Sequence, residues 1–240
     1  MTDQTFENMR KLLIELHCKS EAQVLTEAQK IIDAGAQGFL LSNRSSFVSS
    51  YKQTKPNLFE LAHKLKQMYP SKIIGVNPLD QTSHVALMMG KQYSFDLLWV
   101  NDGGIFPGID SAFPCFMESG KEYYGSIHTS NNQSVDLIQQ VQILQGSIKN
   151  FSLVVTSGIS AGIPPHIEKI KTIKEAIGAT PLVIASGMSA ENVREYCPYA
   201  DVFIVGISVQ ENGRNMFSYD TQKIKRVLKN MSLSTVSTVS

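Results

Sequence analysis

The sequence predicts an α/β protein that forms one (β/α)8 barrel, or TIM barrel. Eight short apolar runs alternate with segments of helical character, and such alternation is typical of parallel strands joined by crossover helices. The length of 240 residues also suits a barrel of this kind. No GxGxxG motif follows the first run, which disfavours an open dinucleotide-binding sheet. We expect residues 1–231 to form the barrel and residues 232–240 to form a disordered tail of low complexity.

The strands are predicted from short apolar runs that end at a small or polar residue, as expected for strands buried on both faces. The fifth run has the weakest pattern. In chain order the predicted strands are Leu12–Leu16, Phe39–Leu41, Ile73–Val76, Leu97–Val100, Tyr123–His128, Leu153–Val155, Leu182–Ala185 and Val202–Val205.

The helices are predicted from apolar residues at helical spacing and from start and stop signals. Ser20 opens a capping box before the first helix, and Gly35 ends that helix. Ser189 is expected to cap the helix after the seventh strand. The remaining helices are expected from about Asn57, over Val85–Met89, after Ser134, from Ile167 to Gly178, and around Ile224–Leu228.

The segment 103–120 is the least regular part of the chain, with four glycines and two prolines. A loop of this length in a compact domain is often a lid or a binding loop. A surface excursion or a subunit contact fits the segment equally well. Its apolar residues would suit a homo-oligomer.

Composition excludes several classes of function. The net charge is +1 without a basic run, which argues against nucleic acid as a partner. No apolar run has the length of a membrane span, and the first residues lack a signal-peptide pattern. The three cysteines have neither metal-ligand nor redox spacing, and their low, odd number fits a reducing compartment. We expect a cytoplasmic protein with no metal and no cofactor.

The turns after strands seven and eight predict a phosphate site. Both turns consist of small residues with free backbone N–H groups, which can hold a phosphate. In a barrel these two strands are neighbours, and barrels often bind phosphate there. The alternative is that the glycines serve only close packing of strand and helix. The residues expected at the phosphate are Ser186, Gly187, Met188, Gly206, Ile207 and Ser208.

Three residues at strand ends are candidates for acid–base catalysis. His17 and His128 follow strands one and five, on opposite sides of the barrel mouth, and histidine can move a proton near neutral pH. Asp102, after strand four, is the carboxylate candidate. Each has a structural alternative: a histidine bonded to a backbone carbonyl, or an aspartate in a helix cap or Asx turn. The orientation of Glu15, inside strand one, stays open.

Other polar residues at strand ends are expected to line the substrate pocket, because barrel enzymes carry their chemistry at the carboxyl ends of the strands. Polar residues also end strands for simple turn chemistry. The predicted pocket residues are Asn43, Asn77, Asn101, Thr156 and Ser157.

The C-terminal third resembles the BtpA/SgcQ family. The resemblance is carried over about residues 150–230 by Val154–Gly162 (VVTSGISAG), Ala185–Val193 (ASGMSAENV) and Ala200–Ser208 (ADVFIVGIS). It implies a (β/α)8 barrel related to phosphate-binding barrels such as phosphoribosylanthranilate isomerase. Members of the family are linked to photosystem I biogenesis or to sugar or nucleoside metabolism.

The chain departs from the family pattern at the other strand ends. Ser42-Asn43 replaces an acidic Glu-Asn pair, His17–Lys19 replaces a Pro-rich turn, and Ser126–Asn131 keeps the histidine but loses its acidic and basic neighbours. From the predicted phosphate turns and the acid–base candidates we expect an isomerase, or a lyase or hydrolase, that acts on a small phosphorylated sugar or nucleotide-like compound. The alternative is a barrel that binds a ligand, or assists assembly, without catalysis.

Overall fold

The computed structural model describes residues 10–43, 57–79, 81–100, 118–127, 136–147, 152–211 and 216–232. Eight parallel strands close into a barrel in the order β1 to β8, which confirms the predicted fold. The strands are β1 Lys11–His17, β2 Gly38–Ser42, β3 Ile73–Asn77, β4 Leu97–Trp99, β5 Glu122–Ser126, β6 Leu153–Ser157, β7 Leu182–Ala185 and β8 Val202–Val205.

Helices connect the strands on the outside of the barrel. Within the described ranges none is long and apolar enough to cross a bilayer. The α-helices are α1 Glu21–Asp33, α2 Leu58–Met68, α3 Ser83–Gly90, α4 Leu137–Ser147, α5 Ile167–Ile177, α6 Val193–Tyr196 and α7 Thr221–Ser232, and a 3-10 helix spans Ile207–Val209.

Local sequence signals account for most of the helix boundaries. The Ser20 hydroxyl accepts the Gln23 N–H, and the Asn57 side chain accepts the N–H groups of Phe59 and Glu60, so each satisfies amide groups that the first helical turn leaves unpaired. Gly178 ends α5 at a φ of +57°, where a residue with a Cβ is disfavoured.

Two apolar layers follow from the alternation of side chains along the strands. Leu13, Leu40, Tyr124 and Val183 belong to the cluster inside the barrel, and their neighbours in sequence pack against the helices. By the same alternation Glu15, His17 and Glu122 occupy inward positions. The inside of the barrel is therefore apolar in its middle and carries ionisable side chains towards both ends.

The segment after β7 differs from the expected helix beginning at Ser189. Only Val193–Tyr196 is helical. The Asn192 side chain accepts the Ser189 N–H and donates to Gly187 O, both at 2.9 Å. This side chain closes the turn on itself, and Pro198 prevents a long continuation.

Several expectations fall outside the described residues. They concern most of the irregular loop (residues 101–117), the Ser134 cap and the tail beyond Ser232. β5 ends at Ser126, two residues before the predicted end, and His128 lies outside the described residues.

Candidate active site

A cavity of about 290 Å³ opens at the carboxyl ends of β6, β7 and β8. It is lined by the loop after β6 (residues 161–164), the turn after β7 (residues 186–192), the turn after β8 (residues 206–208) and Glu15 of β1. The six residues predicted to hold phosphate all line this cavity. The turns after the seventh and eighth strands therefore meet, as the barrel requires.

The β7 turn owes its shape to two consecutive residues in the left-handed region. Ser186 and Gly187 both have a φ of +68°, which is costly for serine and easy for glycine. A Cβ on Gly187 would lie 2.1 Å from the backbone nitrogen of Pro164. Packing against the β6 loop thus requires glycine here whether or not a ligand binds, so the packing explanation and the phosphate explanation both apply to Gly187.

The β7 and β8 turns are joined by a side chain. Ser208 Oγ donates to Met188 O at 2.6 Å, and the short helix Ile207–Val209 begins directly after Gly206. In the described part of the chain, the backbone N–H groups of Gly187, Met188, Ile207 and Ser208 donate to no acceptor. Unpaired amides beside a cavity are typical sites for an anion or an ordered water.

Glu15 is the ionisable side chain that lines the cavity along the described ranges. It is 27% exposed, and its Oε1 lies 3.9 Å from Nδ1 of the buried His17. A Cβ on Gly206 would lie 2.9 Å from Glu15 Oε2, which places the carboxylate next to the β8 turn. Glycine at position 206 therefore leaves room for the carboxylate.

Tyr219 holds the end of β1 in place. Its hydroxyl donates to Glu15 O at 2.6 Å and accepts the His17 N–H at 3.0 Å. Its own N–H donates to the buried carboxylate of Glu27 on α1 at 3.0 Å. The strand segment that carries Glu15 and His17 is thus fixed by contacts from both α1 and the segment before α7.

Polar side chains continue across the first three strands. His17, Ser42 and Asn77 are register neighbours on β1, β2 and β3, and all three are buried. Among the described residues, Ser42 Oγ and Asn77 Oδ1 have no hydrogen-bond partner. Buried polar atoms without partners are costly in a folded protein, so a ligand or water is expected to satisfy them.

The other predicted residues lie in different surroundings. Asn43 accepts the Leu79 N–H at 2.8 Å, a loop contact. Thr156 takes the outward position on β6 by alternation, whereas the buried Ser157 takes the inward one. His17 does not line the cavity and reaches it through Glu15. Asn101, Asp102 and His128 lie outside the described residues.

Lys169 is the cation that supports the end of β6. Its Nζ donates to Ser157 O at 2.6 Å, and burial lowers its pKa to about 8. No lysine or arginine lines the described part of the cavity. Over those residues an anion would be held by amides and hydroxyls. No group of three or more potential metal ligands occurs in the same ranges.

The sequence leaves the orientation of Glu15 open and does not mark Ser42 or Tyr219 as site residues. Glu15 and Ser42 could have been found by counting alternate positions from Leu13 and Leu40, which fixes the inward face of each strand. Tyr219 could not, because its contact with β1 spans more than 200 residues of chain and no local pattern marks it.

The chain is similar in sequence to archaeal proteins. An uncharacterized protein of Pyrococcus horikoshii is 21% identical over 86% of this chain and 85% of its own length. One of Pyrococcus abyssi is 22% identical with the same coverage. One of Thermococcus kodakarensis is 41% identical over a shorter stretch, 25% of this chain and 23% of its own.

Solved structures share the fold at low sequence identity. A native KDPGal structure is 11% identical with a TM-score of 0.66, covering 97% of this chain and 99% of its own. The 3-hexulose-6-phosphate synthase from Salmonella typhimurium is 16% identical with a TM-score of 0.66, and the match covers 93% of this chain and 99% of the synthase chain. Phosphoribosyl anthranilate isomerase from Thermus thermophilus is 11% identical with a TM-score of 0.57, and the match covers 94% of this chain and 99% of the isomerase chain. At these identities the likeness establishes the fold alone.

The model of the BtpA family matches residues 128–233. This range contains all three motifs on which the resemblance rests, together with the β7 and β8 turns of the cavity. The predicted resemblance is therefore confirmed: residues 128–233 of this chain are similar to the BtpA family.

Proposed function

We propose that the chain is an enzyme that acts by acid–base chemistry on a small phosphorylated sugar or nucleotide-like compound. The phosphate group would bind at the turns after β7 and β8. The rest of the molecule would extend over the barrel mouth towards Glu15, Ser42 and Asn77. The reaction would be an isomerisation, or a lyase or hydrolase reaction.

The observation that carries this proposal is the group of unpaired amides on the two turns. Gly187, Met188, Ile207 and Ser208 offer N–H groups with no acceptor among the described residues. Met188 is only 2% exposed, so its amide has little access to bulk water. Convergent backbone N–H groups in a concave turn bind phosphate oxygens.

The polar residues of the mouth supply the second part of the proposal. The unpaired Ser42 Oγ and Asn77 Oδ1 suit the hydroxyl groups of a sugar, which can both donate and accept. Glu15 is the group that would move a proton at the cavity. His17 would be its charge partner, with Nδ1 3.9 Å from Glu15 Oε1. His128 and Asp102 keep their predicted roles as part of this proposal.

The structural neighbours give weaker support. Two of them are named for phosphorylated compounds, 3-hexulose-6-phosphate synthase and phosphoribosyl anthranilate isomerase. Both use the same barrel, but a shared fold does not carry a function with it. They make phosphorylated sugars a sensible first choice of ligands.

A thermal-shift screen tests the proposal, with inorganic phosphate, sugar phosphates and nucleoside monophosphates as ligands. A ligand at about 100 times its dissociation constant should stabilise the fold by about 2.7 kcal/mol. G206L should abolish the shift, because its side chain would enter the space beside Glu15. The control A179L adds the same bulk at an exposed position after α5 and should keep the shift. No shift with any phosphorylated ligand would contradict the phosphate site.

One observation favours the alternative, a ligand-binding barrel without turnover. Along the described part of the cavity Glu15 is the single titratable side chain, whereas acid–base enzymes commonly use two groups. Each ligand found in the screen should be incubated with the protein and followed by NMR for conversion. Binding without conversion of any ligand would favour the non-catalytic function.

A further inference from the structure

One carboxylate shares the cavity with the four unpaired amides. Glu15 lies on the inward face of β1, and its Oε2 is adjacent to Gly206 at the start of the β8 turn. Ile207 and Ser208, which carry two of the amides, follow immediately. An anion on these amides would therefore lie close to the carboxylate of Glu15.

No described residue donates a hydrogen bond to the Glu15 carboxylate. His17 Nδ1 is its one ion-pair contact there, at 3.9 Å, which is beyond hydrogen-bond distance. The nearby hydroxyl of Tyr219 donates to the backbone oxygen of Glu15 rather than to its side chain. The carboxylate oxygens are thus left as acceptors that face the cavity.

The backbone that carries this carboxylate is fixed. Tyr219 holds the backbone on both sides of Leu16, and β1 pairs with β2 and β8 along its length. A charged acceptor on a fixed strand beside amide donors acts on any anion that enters. The amides attract every oxyanion, and the carboxylate distinguishes among them.

We infer that Glu15 makes the site selective for an oxyanion that carries a proton, a conclusion that rests on the proposed phosphate site. Inorganic phosphate keeps a proton near neutral pH, and a phosphate monoester keeps one as the pH falls towards about 6; either can donate it in a P–O–H···⁻O–C hydrogen bond to Glu15. No bond to hydrogen is broken; the proton stays on the phosphate oxygen. Sulfate has no proton to donate and meets the carboxylate as a like charge. Glu15 is therefore a specificity-determining residue.

Calorimetric titration with inorganic phosphate and with sulfate, at pH 7 and equal ionic strength, tests the inference. The wild-type protein should bind phosphate at least about ten-fold more tightly than sulfate, a factor typical of one unfavourable charge contact in a partly solvated site. In E15Q the side chain can donate an N–H to either anion. The preference should therefore fall by about ten-fold or disappear.

The matched control is E122Q, which neutralises the other inward-facing glutamate, on β5. This variant should keep the wild-type preference for phosphate. If E15Q does not fold, E15D serves in its place, since the shorter side chain withdraws the carboxylate from the β8 turn and should weaken the preference.

The outcomes separate this inference from the proposed function. Phosphate and sulfate binding equally well to the wild type would overturn the inference and leave the anion site standing. An unchanged preference in folded E15Q or E15D would overturn it in the same way. No binding of either anion to the wild type or to E15Q would contradict the phosphate site itself.

Discussion

Two glutamates point into the barrel from opposite ends, and their surroundings differ. Glu15 lies at the carboxyl end of β1, beside the cavity and the glycine turn of β8. Glu122 lies at the amino end of β5, where Lys11 and Asp96 influence its charge. Burial is the largest effect on Glu122 and raises its pKa to about 7; the charge of Lys11 opposes the rise and that of Asp96 adds to it.

The difference shows that the two ends of one barrel place a carboxyl group in different surroundings. At the amino end a carboxyl group is removed from water and has a cation nearby. At the carboxyl end a carboxylate faces open space with no hydrogen-bond donor among the described residues. In barrels the carboxyl end carries function and the amino end carries stability. Glu15 lies at the functional end, whereas buried Glu122 at the other end costs stability once it ionises, and variants at the two ends can test this difference.

The largest expected effect compares two glycines with positive φ, Gly187 at the carboxyl end and Gly178 after α5. G187A should lose more than about 3 kcal/mol of unfolding free energy, because its Cβ would lie 2.1 Å from Pro164 N. G178A has no atom within 4 Å of its Cβ and should lose about 1 kcal/mol from the backbone conformation alone. Urea denaturation measures both. Equal losses would contradict the close packing of the two loops.

Next in size is the comparison of two buried tyrosines. Y219F should lower the free energy of unfolding by about 2 kcal/mol, because it removes the hydroxyl that bonds to both Glu15 O and the His17 N–H. Y124F removes a buried hydroxyl that has no partner among the residues the structure describes, so its free energy of unfolding should fall by less than about 0.5 kcal/mol or rise. Thermal and urea unfolding give both values. A larger loss in Y124F than in Y219F would refute the role of Tyr219 at β1.

The third prediction concerns pH and Glu122. A carboxyl group with a raised pKa in the fold stabilises it below the unfolded pKa of 4.5, and this contribution is lost as pH rises through about 7. E122Q should therefore be more stable than the wild type by about 2 kcal/mol at pH 8 and nearly equal to it at pH 4. Urea denaturation at both pH values checks this. A stability difference independent of pH would show that Glu122 is not desolvated.

The smallest expected effect compares two serine hydroxyls. S208A loses the 2.6 Å hydrogen bond from Oγ to Met188 O that joins the β7 and β8 turns. Its free energy of unfolding should fall by about 1 kcal/mol. S232A loses a bond to Lys229 O at the exposed end of α7 and should cost less than about 0.5 kcal/mol. Thermal unfolding compares the two. Matching losses would mean that the bond between the turns adds no special stability.

Sequence predicted the barrel because its signals are local. Each strand is a short buried run, and caps such as Ser20 or stops such as Gly178 mark the ends of helices. It also predicted the residues of the β7 and β8 turns, since neighbouring strands bring their turns together in any barrel of this order.

Other parts of the site depend on contacts that no local pattern encodes. The sequence marks Asn43 as a pocket candidate but does not encode the contact in which its Oδ1 accepts the Leu79 N–H at 2.8 Å. The sequence marks His17 as a catalytic candidate, and the structure adds that its Nδ1 lies 3.9 Å from Glu15 Oε1, the residue that lines the cavity. The shortened helix after β7 arises from the side-chain bonds of Asn192, which compete with the helical pattern that the sequence shows.

The most direct test of the phosphate site is an NMR titration of the ¹⁵N-labelled protein with inorganic phosphate. Our account predicts saturable shifts of the amide signals of Gly187, Met188, Ile207 and Ser208, with no shift of Gly178 at the opposite end of the barrel. Phosphate that shifts none of these four amides, or shifts them no more than Gly178, would contradict the proposed site.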